Sequence, residues 1–362
     1  MPLVEIIADE IAAHGPVPFA RFMAQALYHP AYGYYSGGKA RVGRKGDFFT
    51  NVSVGSLYGR LLAVQFAEMW ERMGRPADFS IVEQGAHGGE FAADVLGALR
   101  GNGCFAAVTY RIVEPANSLA ARQRVRLAEF GGKVLWHESL DTLAPFTGVH
   151  FSNELPDAFP VHVVKWDGEV WRERCVSMDG GRFVFVDAPL SSPALAAECA
   201  QIPQPLPPGY TTEVNLAASK WIAAVAAKLV RGWVLAVDYG HEREEYYAPE
   251  RTQGTLSAYA NHKREQDPLA RPGEVDLTAH VDFTSLIESA KAAGMMRAGF
   301  TDQHHFMVGL GEGHFMDGAN PGDVRAFQTL MHPQMMGTAF KVVCFAKGVE
   351  LPPPLSGFRY AR

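Results

Sequence analysis

The sequence predicts an α/β protein built on a mostly parallel sheet, and three observations lead to this prediction. Short apolar runs alternate with amphipathic helical segments from residue 79 onward, which is the pattern of parallel strands covered by helices. The run at residues 79–82 leads into glycines and then a helix, and the run at residues 110–113 ends at Glu114. The chain has 362 residues, of which 48% are hydrophobic, so it can bury a substantial core.

The first 75 residues are predicted to form a helical, loop-rich region. Apolar residues recur with helical spacing in three segments, residues 3–14, 19–27 and 56–73. Between the last two lies a stretch, residues 28–50, that is rich in tyrosine, glycine, arginine and lysine. We expect residues 1–75 to pack over the ligand site of the domain that follows.

The rest of the chain is predicted to be one domain, residues 76–347, followed by a tail, residues 348–362. Strands and helices are expected to alternate at residues 79–82, 91–99, 110–113, 119–130, 133–136, 149–152, 233–238 and 283–293. Asp-Gly turns predict an antiparallel meander within an insertion at about residues 161–230, and a helix is expected at residues 213–229. A second insertion is placed at about residues 240–282, where a long polar loop is expected at residues 239–280. Two apolar strands are expected near residues 306–310 and 340–346.

Charge and cysteine usage exclude several classes of protein. The net charge of −6 and the pI of about 6.1 argue against nucleic acid or an anionic membrane as the main partner. The four cysteines are widely spaced, with no zinc-type cluster, so no metal is expected. The amino terminus lacks a signal pattern and no apolar run reaches membrane-spanning length. We therefore expect a cytoplasmic protein, and the sequence does not distinguish a monomer from a homodimer.

The segment EQGAHGG at residues 83–89 predicts a nucleotide-binding turn, because glycines allow a sharp turn and close approach of a ligand. A dinucleotide fingerprint starting at Gly85 would need glycine where His87 and Glu90 stand. The pattern E-x-G-x-G-x-G, typical of S-adenosylmethionine (SAM) methyltransferases, matches Glu83, Gly85 and Gly89 and fails only at His87. We predict that these four residues bind SAM, with Glu83 facing its cationic methionyl end.

A second acid supports the same prediction. Glu114 follows the next strand, where a carboxylate accepts hydrogen bonds from both ribose hydroxyls in doubly wound folds. The alternative is that Glu114 and Pro115 only end the strand and open a helix. Ser139 and Leu140, after the third strand, lie where adenine contacts are often found.

Three polar residues after the strand at residues 149–152 are predicted to face the substrate. They are Asn153, Glu154 and Asp157, and Asn153 is expected to reach the cofactor as well. The alternative is a helix cap followed by a first-turn acid. Carboxylates at Glu154 and Asp157 would orient a guanidinium acceptor. An oxygen acceptor would need a general base, for which the sequence offers His262 or His280, although such loop histidines are often structural.

With these motifs in place, the chain resembles the MidA-like methyltransferase family from about residue 27 to residue 347. The resemblance rests on ordered segments at residues 29–35, 46–50, 82–89, 110–115, 152–161, 237–240, 254–262, 272–283 and 336–342. It implies a class I SAM-dependent methyltransferase: a Rossmann-like, seven-stranded, mostly parallel sheet with a helical N-terminal region. The inserted antiparallel strands and loop would form a substrate cover.

The resemblance also implies a chemistry and further site residues. Mitochondrial relatives dimethylate an arginine of a complex I subunit, so a protein acceptor and arginine N-methylation are expected. The family motifs place substrate or lid residues at Tyr35, Asp47, Phe48, Thr50, His262 and His280. Aromatic side chains of the N-terminal loop would fold over SAM, or else serve ordinary packing.

Two departures from the family pattern leave alternatives open. His87 replaces the middle glycine of the turn, and residues 52–55 (VSVG) replace the usual Pro-Glu-Ile-Ser. A small-molecule O- or N-methyltransferase and a SAM-binding assembly factor without turnover are the alternatives. The glycine spacing disfavours an oxidoreductase.

Overall fold

The computed structural model describes residues 2–37, 50–260, 263–312, 320–351 and 353–361. Its α-helices are α1 Pro2–His14, α2 Phe19–Tyr28, α3 Leu57–Arg72, α4 Glu90–Leu99, α5 Cys104–Ala107, α6 Asn117–Arg126, α7 Pro193–Cys199, α8 Leu216–Lys228, α9 Arg243–Tyr246, α10 Phe283–Ala292, α11 Gln303–Gly311 and α12 Pro321–Met331. Turns of 3₁₀-helix lie at Asn51–Val54, Ala128–Lys133, Pro156–Ala158 and Ser356–Phe358, and a π-helical turn at Pro333–Gly337.

The β-strands are β1 Val17–Pro18, β2 Phe79–Gln84, β3 Val108–Val113, β4 Val134–His137, β5 Phe146–Asn153, β6 His162–Trp166, β7 Trp171–Asp179, β8 Arg182–Ala188, β9 Thr211–Val214, β10 Leu229–His241, β11 Ser257–Ala260, β12 Lys263–Glu265, β13 Asp276–Thr278, β14 Val281–Asp282, β15 Met296–Asp302 and β16 Phe340–Lys347. The chain divides into two compact units. Unit 1 comprises residues 1–48, 156–220 and 241–286, and unit 2 comprises residues 49–155, 221–240 and 287–362.

Unit 2 contains the large sheet, in the strand order β15-β16-β10-β5-β2-β3-β4. Neighbouring strands from β10 to β4 pair in parallel, whereas β16 pairs antiparallel with both β10 and β15. The central strands β2, β5 and β10 are almost continuously buried, as expected where helices cover both faces of a sheet. The mostly parallel sheet predicted from the alternating pattern is present.

Aromatic side chains fix the helices of unit 2 on this sheet. Phe91 of α4 stacks on Phe151 of β5 with 4.5 Å between ring centroids. Phe66 of α3 packs edge-on against Phe151 at 5.6 Å. All three side chains are at most 2% exposed, so α3 and α4 share one apolar core with the central strands.

Unit 1 holds two smaller sheets. In the first, β1, β7, β6 and β9 are neighbours in that order, and β8 also pairs with β7. The pairings of β6, β7, β8 and β9 are all antiparallel, which confirms the predicted meander. The second sheet has the order β12-β11-β13 and lies in the segment expected to be a polar loop. Helices α1 and α2 share an apolar core with the meander, in which Phe22 contacts Phe183 edge-on.

The structure corrects two predicted elements. The apolar run at residues 306–310 is part of helix α11, so the predicted strand there is wrong. Phe306, Met307 and Leu310 are buried at helical spacing, and the Asp302 side chain accepts the backbone N–H of His305 as a helix cap. The strand of this region is β15, which the sequence hides because its residues are mostly half-exposed. Likewise, the helix predicted from residue 213 begins at Leu216, because Thr211–Val214 pair with β6.

Candidate functional site

The candidate site lies at the carboxyl edge of the parallel strands in unit 2. Strand register sets Gln84 of β2 opposite Val113 of β3 on one side and Ser152 of β5 on the other. Val237 of β10 pairs with Asn153. The residues that follow these strand ends therefore reach one edge of the sheet, which is where open α/β sheets bind their ligands.

Three residues of the turn between β2 and α4 adopt left-handed backbone conformations. Gly85 has φ 85°, His87 has φ 43° and Gly89, the N-cap of α4, has φ 80°. The two glycines take this conformation without strain, because they have no Cβ. At His87 it costs about 1–2 kcal/mol. The turn therefore forms with histidine in the middle position.

Glu83 is a buried acid at the end of β2. Its side chain is 4% exposed, and its Oε2 accepts a hydrogen bond of 2.7 Å from the Tyr110 hydroxyl. Burial raises the pKa of Glu83 to about 8, with a smaller contribution in the same direction from Glu90 and Glu114. No lysine or arginine pairs with Glu83 among the residues that the structure describes. The site therefore presents a buried carboxyl group suited to a ligand cation.

Glu114 is held at the end of β3 by two donors. Its Oε1 accepts from the backbone N–H of Ala116 at 2.9 Å, and its Oε2 accepts from Nε2 of Gln123 at 3.0 Å. The residue is 8% exposed, and burial raises its pKa against the opposing effect of these hydrogen bonds. A carboxylate has roughly four acceptor positions. Each oxygen of Glu114 thus retains an acceptor position for a ligand hydroxyl.

Ser139 and Leu140 lie in the half-buried segment after β4. The backbone carbonyl of Ser139 accepts from the Thr142 hydroxyl at 2.9 Å, and the carbonyl of Leu140 accepts from the N–H of Leu143 at 3.2 Å. These bonds hold the segment in a turn next to the end of strand β4. Their adenine contact stays a prediction.

Asn153 and Glu154 are linked at the end of β5. Nδ2 of Asn153 donates to Oε1 of Glu154 at 2.8 Å. Oδ1 of Asn153 accepts from the Tyr58 hydroxyl at 2.8 Å and from Nδ2 of Asn51 at 3.0 Å. Both donors are fully buried, so the amide of Asn153 has one orientation. Glu154 itself has φ 53°, and its backbone N–H donates to the carbonyl of Val237 at 2.9 Å.

Glu83 and Glu154 both affect the pKa of the Tyr58 hydroxyl. The pKa of the Tyr58 hydroxyl is raised well above its usual value, first by burial and then by Glu154 and Glu83.

Thr50, which precedes this network in the chain, forms a capping box with Ser53. Its interactions with Ser53 start the 3₁₀ turn that carries Asn51.

The remaining predicted residues that the structure describes belong to unit 1. Asp157 lies in the turn Pro156–Ala158 and is 6% exposed. Burial raises the pKa of Tyr35 well above the usual value, and the charge of Asp276, followed by smaller effects of Tyr28 and Asp157, raises it further. Tyr35 also stacks on Tyr28 with 5.7 Å between centroids. Asp157 thus lies with these groups of unit 1, and its role stays a prediction.

His280 has a histidine neighbour in unit 1. Its Nδ1 is 3.2 Å from Nε2 of His241. Burial, then His241, Arg251 and Arg264, lower the pKa of His280 to about 4. At physiological pH this imidazole is neutral but only weakly basic, and its role as a base stays a prediction. Asp47, Phe48 and His262 lie outside the described residues.

Several site residues were missed from the sequence. Tyr110, Gln123, Asn51 and Tyr58 each make one of the hydrogen bonds above. For Gln123 a signal existed, because it follows the buried Ala120 by three residues on the inner face of α6. Asn51 and Tyr58 carry no such signal, since their partners are about one hundred residues away in the chain.

Metal and membrane sites are absent from the described part of the chain. No group of three or more His, Cys, Asp or Glu side chains is placed to hold a metal ion there. No described helix is both long and apolar enough to cross a membrane. All four cysteines are free and buried, and burial raises the pKa of Cys175 to about 11, so that thiol stays protonated.

The residues present fit SAM. Left-handed Gly85 and Gly89 let the backbone turn sharply at the start of α4, the buried Glu83 suits an ammonium group, and Glu114 retains acceptor positions for ribose hydroxyls. A mostly parallel sheet with this turn after its central strand and an acid after the next strand is the arrangement in which α/β proteins bind nucleotide cofactors, and the glycine spacing here matches the class of SAM-dependent methyltransferases.

Comparison with known proteins identifies the family. Residues 61–301 match the model of a family of S-adenosyl-L-methionine-dependent methyltransferases, and the chain belongs to this MidA-like methyltransferase family. It is 28% identical to a mitochondrial protein arginine methyltransferase homolog, NDUFAF7, of Drosophila melanogaster, over 96% of this chain and 85% of the relative. Human mitochondrial protein arginine methyltransferase NDUFAF7 is 27% identical, over 100% of this chain and 86% of the relative.

A solved structure agrees in fold and cofactor. A protein of Burkholderia thailandensis, crystallised with S-adenosyl-homocysteine (SAH), is 35% identical with a TM-score of 0.89, covering 100% of this chain and 95% of its own. The chain described here, whose residues 61–301 match the methyltransferase family, is therefore a SAM-dependent methyltransferase with an α/β methyltransferase fold. The predicted cytoplasmic location is wrong by these comparisons, because the curated relatives are named as mitochondrial proteins.

Proposed function

We propose that this protein transfers a methyl group from SAM to a guanidino nitrogen of an arginine in a protein acceptor. The observation that carries the proposal is the carboxylate of Glu154, which a buried amide network orients at the sheet edge of unit 2. The names of relatives that match nearly the whole chain, protein arginine methyltransferases, favour the same acceptor.

We assign the cofactor roles to the residues at this edge of the sheet. Glu83 pairs with the ammonium of the methionyl end, and the turn from Gly85 through His87 to Gly89 carries that end of the ligand. Glu114 accepts hydrogen bonds from the ribose hydroxyls. Ser139 and Leu140 line the adenine, and Asn153 contacts the cofactor while it orients Glu154.

The chemistry needs positioning and the removal of one proton. SAM supplies a methyl group already activated on a sulfonium. A carboxylate that accepts two N–H bonds fixes the guanidinium plane, and the attacking nitrogen forms its bond to carbon as the bond to sulfur breaks. That nitrogen loses one proton, which Glu154 accepts. Positioning contributes most of the rate, because the donor is already reactive.

The finer fold assignment belongs to the same proposal. We take the strands β15-β16-β10-β5-β2-β3-β4 as the seven-stranded core of a class I methyltransferase. We assign acceptor recognition to the N-terminal region and the two insertions, with Tyr35, Asp157 and His280 as the residues of unit 1 to test. Asp47, Phe48, Thr50 and His262 complete the predicted lid, and the domain boundaries at residues 75 and 347 stay predictions.

Labelled methyl transfer tests the acceptor. The purified protein is incubated with SAM labelled in its methyl group and with an extract of cells that lack this protein. After acid hydrolysis of the protein fraction, label is expected in methylarginine and is expected to be strongly reduced with Glu154→Gln. Label in a small molecule or in another amino acid would overturn the arginine assignment. SAH binding without any labelled product would favour a SAM-binding assembly factor.

A further inference from the structure

Gln123 connects three parts of the sheet edge in unit 2. This side chain of α6 is fully buried. Its Nε2 donates to the carbonyl of His87 at 2.8 Å and to Oε2 of Glu114 at 3.0 Å. Its Oε1 accepts from Nε1 of Trp136, in β4, at 3.1 Å. One amide thus joins the turn after β2, the acid after β3 and the next strand.

The orientation of this amide is determined by its partners. An indole N–H only donates, so Trp136 fixes the side on which the Gln123 oxygen lies. The NH₂ group must then face the two acceptors, the His87 carbonyl and the Glu114 carboxylate. Flipping the amide would oppose donor to donor and acceptor to acceptor. Gln123 therefore has one arrangement, and this arrangement holds both acceptors in place.

The contact extends to the backbone of the turn. A Cβ added to Gly89 would lie 3.4 Å from Cγ of Gln123, so the glutamine stem packs directly against the N-cap of α4. Arg126, three residues further along α6, donates from Nε to the carbonyl of Gly88 at 2.9 Å. The carbonyl groups of His87 and Gly88 therefore face α6, which leaves the opposite side of the turn for a ligand.

We propose that Gln123 is a positioning residue for SAM: it presets the carboxylate of Glu114 in the geometry that binds the ribose, while Arg126 also holds the turn after β2 against α6. This inference rests on the proposed role of Glu114 as the acceptor of the ribose hydroxyls. Without the amide, Glu114 keeps only the Ala116 N–H as a donor, and its carboxylate rotates away from the ribose. The ligand must then order that carboxylate on binding, which lowers its affinity.

Binding of SAH and of its 2′,3′-dideoxy analogue, measured by calorimetry, tests this role. Gln123→Met keeps the length of the side chain and removes its hydrogen bonds. It is expected to weaken SAH binding about tenfold and to leave the dideoxy analogue within about threefold of wild type. Gln65→Met is the matched control, because Gln65 is also a fully buried amide of unit 2, bonded to Glu68 and Gly357. It should leave both affinities unchanged.

The outcomes separate this inference from the proposed function. If wild type binds both ligands equally well, Glu114 does not hold the ribose, and the inference falls with that role. A second case is that wild type prefers SAH over the dideoxy analogue. If Gln123→Met then retains this full preference, or loses affinity equally for both ligands, Gln123 is not a positioning residue for Glu114. Trp136→Phe serves where Gln123→Met does not fold, and it should reduce the preference by about threefold. An unchanged preference there would also overturn the inference.

Discussion

At the scale of single residues, Glu83 makes the stability of the protein depend on pH. Its pKa is about 8 in the folded protein against an ordinary value of 4.5, so the folded state holds a proton that the unfolded chain releases. The stabilisation is fully present below about pH 4.5 and is lost as the pH rises through about 8. Glu83→Gln cannot ionise, and it removes this dependence.

We therefore expect the free energy of unfolding of wild type, relative to Glu83→Gln, to fall by about 2–5 kcal/mol between pH 4.5 and pH 9. Urea denaturation of both proteins at a series of pH values measures this difference. A difference that stays constant over the whole range would show that Glu83 titrates normally. Such a result would argue against Glu83 as a buried acid that binds a ligand cation.

Glu114 gives the corresponding prediction for the cofactor. Glu114→Ala removes the acceptor of the ribose hydroxyls and should weaken SAH binding by roughly 1–3 kcal/mol. Calorimetric titration measures the change, and circular dichroism verifies that the variant is folded. Unchanged affinity in a folded variant would reject the assignment of Glu114 to the ribose.

At the scale of elements, the packing of α4 on β5 holds the turn in place. Phe91 and Phe151 stack at 4.5 Å with an interplanar angle of 17°. Phe91→Ala opens a cavity beneath the helix that the turn begins, and should lower the free energy of unfolding by about 3–5 kcal/mol. Urea denaturation measures this loss. A loss below about 1 kcal/mol would mean that the core closes around the missing ring.

The end of β5 carries a prediction that separates catalysis from binding. Glu154→Gln keeps the shape of the side chain and removes the charge that receives the acceptor's proton. SAH affinity should stay within about twofold of wild type, while the rate of methyl transfer falls by about 100-fold or more. Calorimetry and labelled transfer measure the two quantities. Equal losses in both would make Glu154 a cofactor residue instead.

How much of the fold and of the site can be predicted from the sequence depends on how far apart the interacting residues lie in the chain. The turn at residues 83–89 and the acid Glu114 follow from local patterns, because a strand, glycines and a helix are neighbours in the chain. The network around Asn153 could not be predicted in this way. Asn51 and Gln303 are far from Asn153 in sequence, and these amides meet only in the folded unit. The strand β15 was missed because its burial does not alternate.

At the scale of the whole molecule, the chain divides its predicted residues between two units. Unit 2 contains Glu83, Glu114, Asn153 and Glu154, which belong to the cofactor and proton-transfer roles. Unit 1 contains Tyr35, Asp157 and His280, which are proposed to act on the acceptor side. This division predicts that variants of the unit 1 residue Tyr35, such as Tyr35→Phe, raise the KM for the protein acceptor by about tenfold while SAH affinity is unchanged. Steady-state kinetics with the acceptor identified by labelling measures this, and weakened SAH binding would contradict it.

A crystal structure of this protein with SAH tests most directly whether the cofactor binds at the carboxyl edge of the sheet in unit 2. We expect the ribose hydroxyls to lie within hydrogen-bond distance of Glu114. We also expect the amino group of the homocysteine to lie beside Glu83 and the turn that begins at Gly85. SAH bound elsewhere, or bound at this edge with its ribose away from Glu114, would rule out this binding site as proposed.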